Sequence, residues 1–272
     1  MTSIFKSRQV TFLVGPNQVE FSVHQHAFTR LSEPLRAMLT GGMKESLEAK
    51  VIWDDIEPAI FTSLLEFAYN GDYSIPRLPR KKPVIEVPPD QPDPADLSDE
   101  DDWWSICSIM TWMMDNDDRY GDCTRFGKWC YGRLYFETEM FPGPQPYWHD
   151  ELQRNDCTGI STVFMLHVKL YALADRYQFK SLRNLCLQRL RESLINVVLR
   201  AEFCEALSEM LRFAYANTAP NDELRMMLIR YCIFQMNHLK RHGYLDRFVK
   251  ELPDFATELL LEVPQMMWEA AL

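Results

Sequence analysis

No apolar run in the chain reaches the 18 residues that a membrane-spanning helix requires. The opening stretch, MTSIFKSRQVTFLV, lacks an apolar core of signal-peptide length with a small-residue cleavage site after it. The seven cysteines, at 107, 123, 130, 157, 186, 204 and 232, include no Cys-x-x-Cys pair, which excludes a zinc knuckle. Odd in number and scattered, they read as packed thiols of a reduced, intracellular protein, cytoplasmic and/or nuclear. Glycine occurs only ten times in 272 residues, and neither a phosphate-cradling glycine loop nor a Gly-x-Ser-x-Gly elbow is present. Basic residues fall short of acidic ones, 29 against 39, giving a formal charge of −10. Such a balance disfavours a surface built for phosphate backbones, so neither direct nucleic-acid binding nor a membrane partner is expected.

What the chain does have is apolar material. With 47% hydrophobic and 12% aromatic residues it can bury a sizeable core. VTFLV-GPNQ-VEFSV over residues 10 to 23 predicts a β-hairpin, with Val19, Phe21 and Val23 facing in and Glu20 and Ser22 facing out. The period then lengthens to that of a helix: Ala27, Phe28 and Leu31 share one face, then Leu35, Met38 and Leu39 another. Ser32 is placed as an N-cap, Pro34 in the first turn, and Gly41 and Gly42 as the stop. KVIWDD predicts a third short strand. A helix follows, with Pro58 in its first turn, a buried stripe of Ile60, Phe61, Leu64, Leu65 and Ala68, and Gly71 at its end.

Composition changes sharply after residue 75. Seven prolines fall between Pro76 and Pro94, and Glu86 to Asp102 carries eight acidic residues and no basic one. Neither a helix nor a central strand tolerates that density, so a loop or linker is expected. The basic knot RLPRKKP before it reads as a solvated flank, with a nuclear-import signal as the less favoured reading. DDWWSICSIMTWMM reads as a buried helix or a partner surface. From Ile160 to His242 there is no glycine and only one proline, Pro220. Leu166, Leu170, Leu173, Ala174 and Tyr177 share one helical face, and Leu182, Leu185, Cys186, Leu190 and Leu194 define a second. EALSEMLRFAYANT, ELRMMLIRYCIFQMNHLKRH, DRFVKEL and ATELLLEV predict the remaining helices.

Three segments in order carry a resemblance. FSVHQHAFTRLSEPLRAMLTGGMKES, VIWDDIEPAIFTSLLEFAYNGDY and LHVKLYALADRYQFKSLRNLCLQRL resemble successive parts of the BTB/POZ fold. The matching positions are His24, Ser32, Met43, Glu45, Tyr69, Gly71, Tyr171, Ala174, Asp175 and Tyr177. RFAYANT and the long helix after it are similar to the C-terminal helices of fungal BTB proteins. The resemblance implies an α+β chain: a short mixed sheet with helices, a long acidic insertion and an all-α C-terminal extension. Its parts are the first piece of the domain at 1–75, the insertion with its Trp-rich segment at 76–160, the completion at 161–195 and the extension at 196–272. Family members usually carry a charged pair where this chain has Gln9 and Gln25, two neutral amides that avoid an unpaired buried charge.

The chemistry this implies is non-covalent. No catalytic residue, cofactor or metal is expected, and the partner is protein. The resemblance implies a homodimer, buried around Ile4, Phe5, Ala27, Phe28 and Leu31. A self-associating scaffold or adaptor is the first reading. Two others are a substrate adaptor with a cullin scaffold as partner, although ISTVFMLHVK does not supply the usual signature, and a transcriptional co-regulator that borrows a DNA-binding partner. His24 and His26 lack a third ligand within reach, and they read as a strand-to-helix junction. His238 and His242 lie four apart but without the Glu of a zinc-protease motif. DNDDRYGD, from Asp115, has Tyr120 and Phe126 where a calcium loop needs Gly and Glu.

Overall fold

The computed structural model describes residues 4–80, 147–154 and 158–263. Strand β1 (Gln9–Val14) turns through Gly15, at φ 75°, into β2 (Val19–His24), its antiparallel partner. Val10 then lies opposite Val23, and Phe12 opposite Phe21. Helix α1 (Gln25–Thr29) follows without a break. In α2 (Glu33–Thr40), the Ser32 hydroxyl accepts from the Leu35 N–H, and Pro34 occupies the first turn, where its missing N–H costs little. A helix not read from the sequence, α3 (Lys44–Glu48), comes next. Ala49, in the left-handed region, turns the chain into β3 (Lys50–Trp53), which pairs parallel to the free side of β1. The sheet order is β2-β1-β3. Helix α4 (Pro58–Asn70) ends at Gly71, whose φ of 78° suits a residue without Cβ.

One face of this small sheet carries Val10, Phe12, Val14, Val23, Val51 and Trp53, all buried. Phe12 is its centre: its ring lies 5.1 Å from Phe28 on α1, 5.2 Å from Phe61 on α4 and 5.1 Å from Trp53. Ala27 and Phe28 are therefore core residues, filled in by the chain's own sheet and α4.

Helices α5 (Tyr147–Gln153), α6 (Ile160–Arg176), α7 (Lys180–Asn196) and α8 (Ala201–Asn217) resume the fold, with α6 lying against both α7 and α8. The two sides of the intervening stretch meet. The Leu78 N–H donates to Glu151 at 3.0 Å, and the Thr158 N–H to the Pro79 carbonyl at 2.9 Å. Trp53 stacks on Tyr177 at 4.5 Å, and the exposed rim adds Lys169–Glu57 and Arg176–Asp55 ion pairs. The helices thus extend the core built by the first 75 residues.

The C-terminal layer consists of α9 (Glu223–Phe234), α10 (Met236–Arg241), α11 (Tyr244–Glu251) and α12 (Pro253–Glu262). The sequence predicts α9 and α10 as one helix. They part at Gln235, buried at φ −101°, ψ 17°, whose N–H still reaches the Tyr231 carbonyl. No glycine or proline marks that break. Leu224, Leu228, Ile229, Tyr231 and Ile233 are buried, so ELRMMLIRYCIF packs as a core helix. Among the described residues, no helix is long and apolar enough to cross a membrane. The Trp-rich segment, the acidic run and Cys107, Cys123, Cys130 and Cys157 lie outside the described residues.

Candidate interaction surface

The residues before β1 are held to the fold by short-range polar contacts. The Ser7 hydroxyl donates to the Ile4 carbonyl at 2.7 Å and accepts from the His26 N–H at 3.1 Å. The Gln25 N–H donates to the Arg8 carbonyl at 2.8 Å. Ile4 consequently drops into the core while its neighbour Phe5 stays 64% exposed. An aromatic ring left in water needs support, and this one has it. Phe5 sits edge-on to His24 at 5.4 Å and stacks with Tyr69 at 6.4 Å. Tyr69 is fixed in turn: its oxygen accepts from the His24 N–H at 3.0 Å and lies 2.9 Å from His24 Nδ1.

Of the expected interface residues, only Phe5 offers a large free apolar surface. Ala27 and Phe28 are fully buried and present nothing to a partner. Leu31 is half-buried in a depression of about 230 Å³, beside Arg30, Phe67, Phe179 and Leu182. The two amides do not form a pair. Ser22 donates to Gln9 Oε1 at 3.4 Å, whereas Gln25 Nε2 donates to the Leu39 carbonyl at 2.7 Å.

The resemblance positions divide by role. His24 and Tyr69 bond each other, Ser32 caps α2, and Gly71 ends α4. Tyr171 donates to Asp222 at 3.0 Å, Ala174 is buried, Asp175 pairs with Arg183 at 3.2 Å, and Tyr177 stacks on Trp53. Glu45 lies in the first turn of α3, and Met43 is exposed before it. None of these converges on a common chemical centre. The His238 and His242 rings lie 4.5 Å apart, yet among the described residues no three His, Cys, Asp or Glu side chains are grouped to hold a metal ion.

Among the described residues, a dense polar cluster is one that sequence reasoning missed. Tyr73, after α4, puts its hydroxyl 2.8 Å from Nδ1 of His167 on α6, and Ser193 on α7 lies 3.4 Å from Nε2. Arg189 donates to the Tyr73 carbonyl, pairs with Asp72 at 2.6 Å and lies over the Tyr73 ring at 4.4 Å. Burial, with a smaller contribution from the Arg189 charge, pushes His167 down to about 3, so the ring is neutral at physiological pH. Burial likewise pushes the neighbouring Cys186 thiol up to about 12. Ser193 and His167 are sealed from solvent, so this serine–histidine contact meets no substrate and works as a polar joint.

A second joint docks α12. Arg225, 3% exposed, donates to the Thr218 hydroxyl at 3.0 Å, to the carbonyls of Thr218 and Tyr215, and to Glu258 on α12 at 3.4 Å. Tyr215 donates to the same carboxylate at 2.6 Å.

Comparison with known families agrees with this architecture. The family model of the BTB/POZ domain matches residues 5–87, so the chain carries a BTB/POZ domain at that end. No curated protein matches the chain.

Proposed function

We propose that this BTB/POZ chain is a non-catalytic scaffold or adaptor that self-associates through the face around Phe5. A BTB/POZ domain is a protein–protein interaction module, and protein is accordingly the partner. In this reading, α6 and α7 complete the domain begun by residues 5–87, and the α8–α12 layer extends it. The Tyr73–His167 contact and the Trp53–Tyr177 stack support that continuity.

One observation carries the reading: a phenylalanine 64% exposed, yet held between two bonded aromatic side chains. A ring already ordered loses little conformational freedom when a partner covers it, which favours its use as an anchor. An isologous pairing would bring the same face of two chains together. Light scattering on the purified chain tests this. A mass twice the 32.0 kDa of one chain is expected at micromolar concentration, and Phe5→Asp should shift it toward the monomer. A wild-type monomer under those conditions would remove the proposal. Adding a cullin N-terminal domain to the same sample tests the ligase-adaptor alternative, which predicts a stable complex.

A further inference from the structure

We propose a second self-recognition surface, the free edge of β3, which pairs antiparallel with β3 of another copy about a two-fold axis at Ile52. The surface is separate from the Phe5 face and does not depend on it. Strand β3 ends the sheet among the described residues, and its backbone polarity is fixed by the bonds it makes to β1. Thr11 and Gly15 donate to the carbonyls of Ala49 and Trp53 at 2.9 and 2.8 Å. Since successive peptide groups alternate, those of Lys50 and Ile52 and the N–H of Asp54 point away from β1, toward the open edge. Ile52 is 56% exposed, whereas Val51 and Trp53 on either side are buried.

The side chains settle which strand fits there. Asp55 and Glu57 nearby are already paired, with Arg176 and Lys169. Lys50 and Asp54 are exposed and have no ion partner among the described residues. Charges on a short edge strand normally repel a stray strand, and these would hinder an arbitrary apolar one. An antiparallel copy centred on Ile52 is different. It sets Lys50 of each chain opposite Asp54 of the other and Ile52 against Ile52, with the central pair exchanging two backbone bonds. The same charges that exclude other strands therefore select this one. Met43 and Leu47, exposed on the segment that leads into β3, add apolar surface beside it. The result is a continuous sheet across two chains. A contact of this length is small, so the association is weak and concentration-dependent.

The test is charge exchange, performed in the Phe5→Asp background so that only the β3 contact is read. At concentrations well above the micromolar range in which the Phe5 face is read, sedimentation velocity should show concentration-dependent dimerisation of that parent. Lys50→Asp alone, or Asp54→Lys alone, turns both cross-strand pairs into like charges and should weaken association about tenfold. Mixing the two variants restores both opposite-charge pairs, so the mixture should dimerise as the parent does. Recovery on mixing also shows that each variant is folded. No dimerisation of the parent, unchanged association of either single variant, or a mixture no tighter than its components would each overturn the proposal. Failure here leaves the Phe5 reading standing, since that reading is judged at micromolar concentration on the wild-type mass and its loss in Phe5→Asp.

Discussion

The Tyr73 hydroxyl and His167 Nδ1 lie 2.8 Å apart, at the closed centre of the fold, though 94 residues separate them in sequence. Tyr73 belongs to the segment that leaves α4, and His167 to the middle of α6. Arg189 and Ser193 close the cluster from α7. Besides the Trp53–Tyr177 stack and the shared apolar core, a polar junction thus joins the two halves of the chain, and each of its groups depends on its partner.

That dependence gives the molecule an acid limit. His167 titrates near 6.5 when unfolded and is held down to about 3 when folded, so between those values the unfolded chain binds the extra proton. Stability from this group is complete above about pH 6.5 and declines as pH falls, by about 1.4 kcal/mol per pH unit. The depressed His149 adds in the same direction. Urea midpoints measured from about pH 7 to 4 should fall accordingly, and His167→Gln should flatten that slope while lowering stability at pH 7.

Removing the guanidinium at the junction should be more damaging. Arg189→Met leaves the buried Tyr73 carbonyl without its donor, while the exposed Asp72 keeps only the Tyr73 N–H, at a cost of about 2–3 kcal/mol in urea unfolding. Arg189→Lys should recover little of this, because one ammonium cannot reach the carbonyl, the carboxylate and the ring face together.

The second joint should control α12 separately. Glu258→Gln weakens the hold of Arg225 and Tyr215 on α12 while keeping the side-chain volume. Hydrogen exchange should quicken over Pro253–Glu262 first, with α6 and α7 unchanged. Arg225→Met should cost about 3–5 kcal/mol, since it strands a half-buried carboxylate.

The buried thiols should be chemically silent. Cys186 and Cys204 are both pushed up to about 12 by burial, and burial raises Cys232 as well. Thiolate is the reactive species, so peptide mapping after alkylation at pH 7.5 should find these three unmodified until denaturant is added.

Gly71→Ala tests a backbone requirement alone. A Cβ at that position meets no atom within 4 Å, so the only cost is the left-handed φ of 78°, about 1 kcal/mol by thermal or urea unfolding.

Much of the first 75 residues was legible because its signals are local. Ser32 with Pro34 marks a helix start, Gly71 a stop, and the alternation of Val19, Phe21 and Val23 a strand, although Val19, expected to face in, is 41% exposed at the strand's start. Helix α3 left no trace for a physical reason: it is five residues long and buries no side chain, so it has no apolar period. The apolar residues near the N-terminus could be recognised as apolar, but their division between core and surface could not. Sequence alone grouped Ala27 and Phe28 with Phe5, whereas the packing around Phe12 claims the first two. The polar junction was illegible because charged and polar residues are read as solvated by default. A signal did exist: His167 shares its helical face with Val163, Leu170 and Ala174, and Arg189 shares its face with Leu182, Cys186 and Ser193. Polar residues in register with a buried stripe were the clue.

The spacing of that junction also fixes a sequence of events during synthesis. Tyr73 leaves the ribosome 116 residues before the arginine that satisfies its carbonyl. At about 5–20 residues per second, the interval is roughly 6–23 s. Throughout it, the sheet and α4 exist as a nascent piece with one polar wall open, and β3 and Phe5 already exposed. A neighbouring nascent chain on the same message would meet those surfaces before either copy could close its own centre.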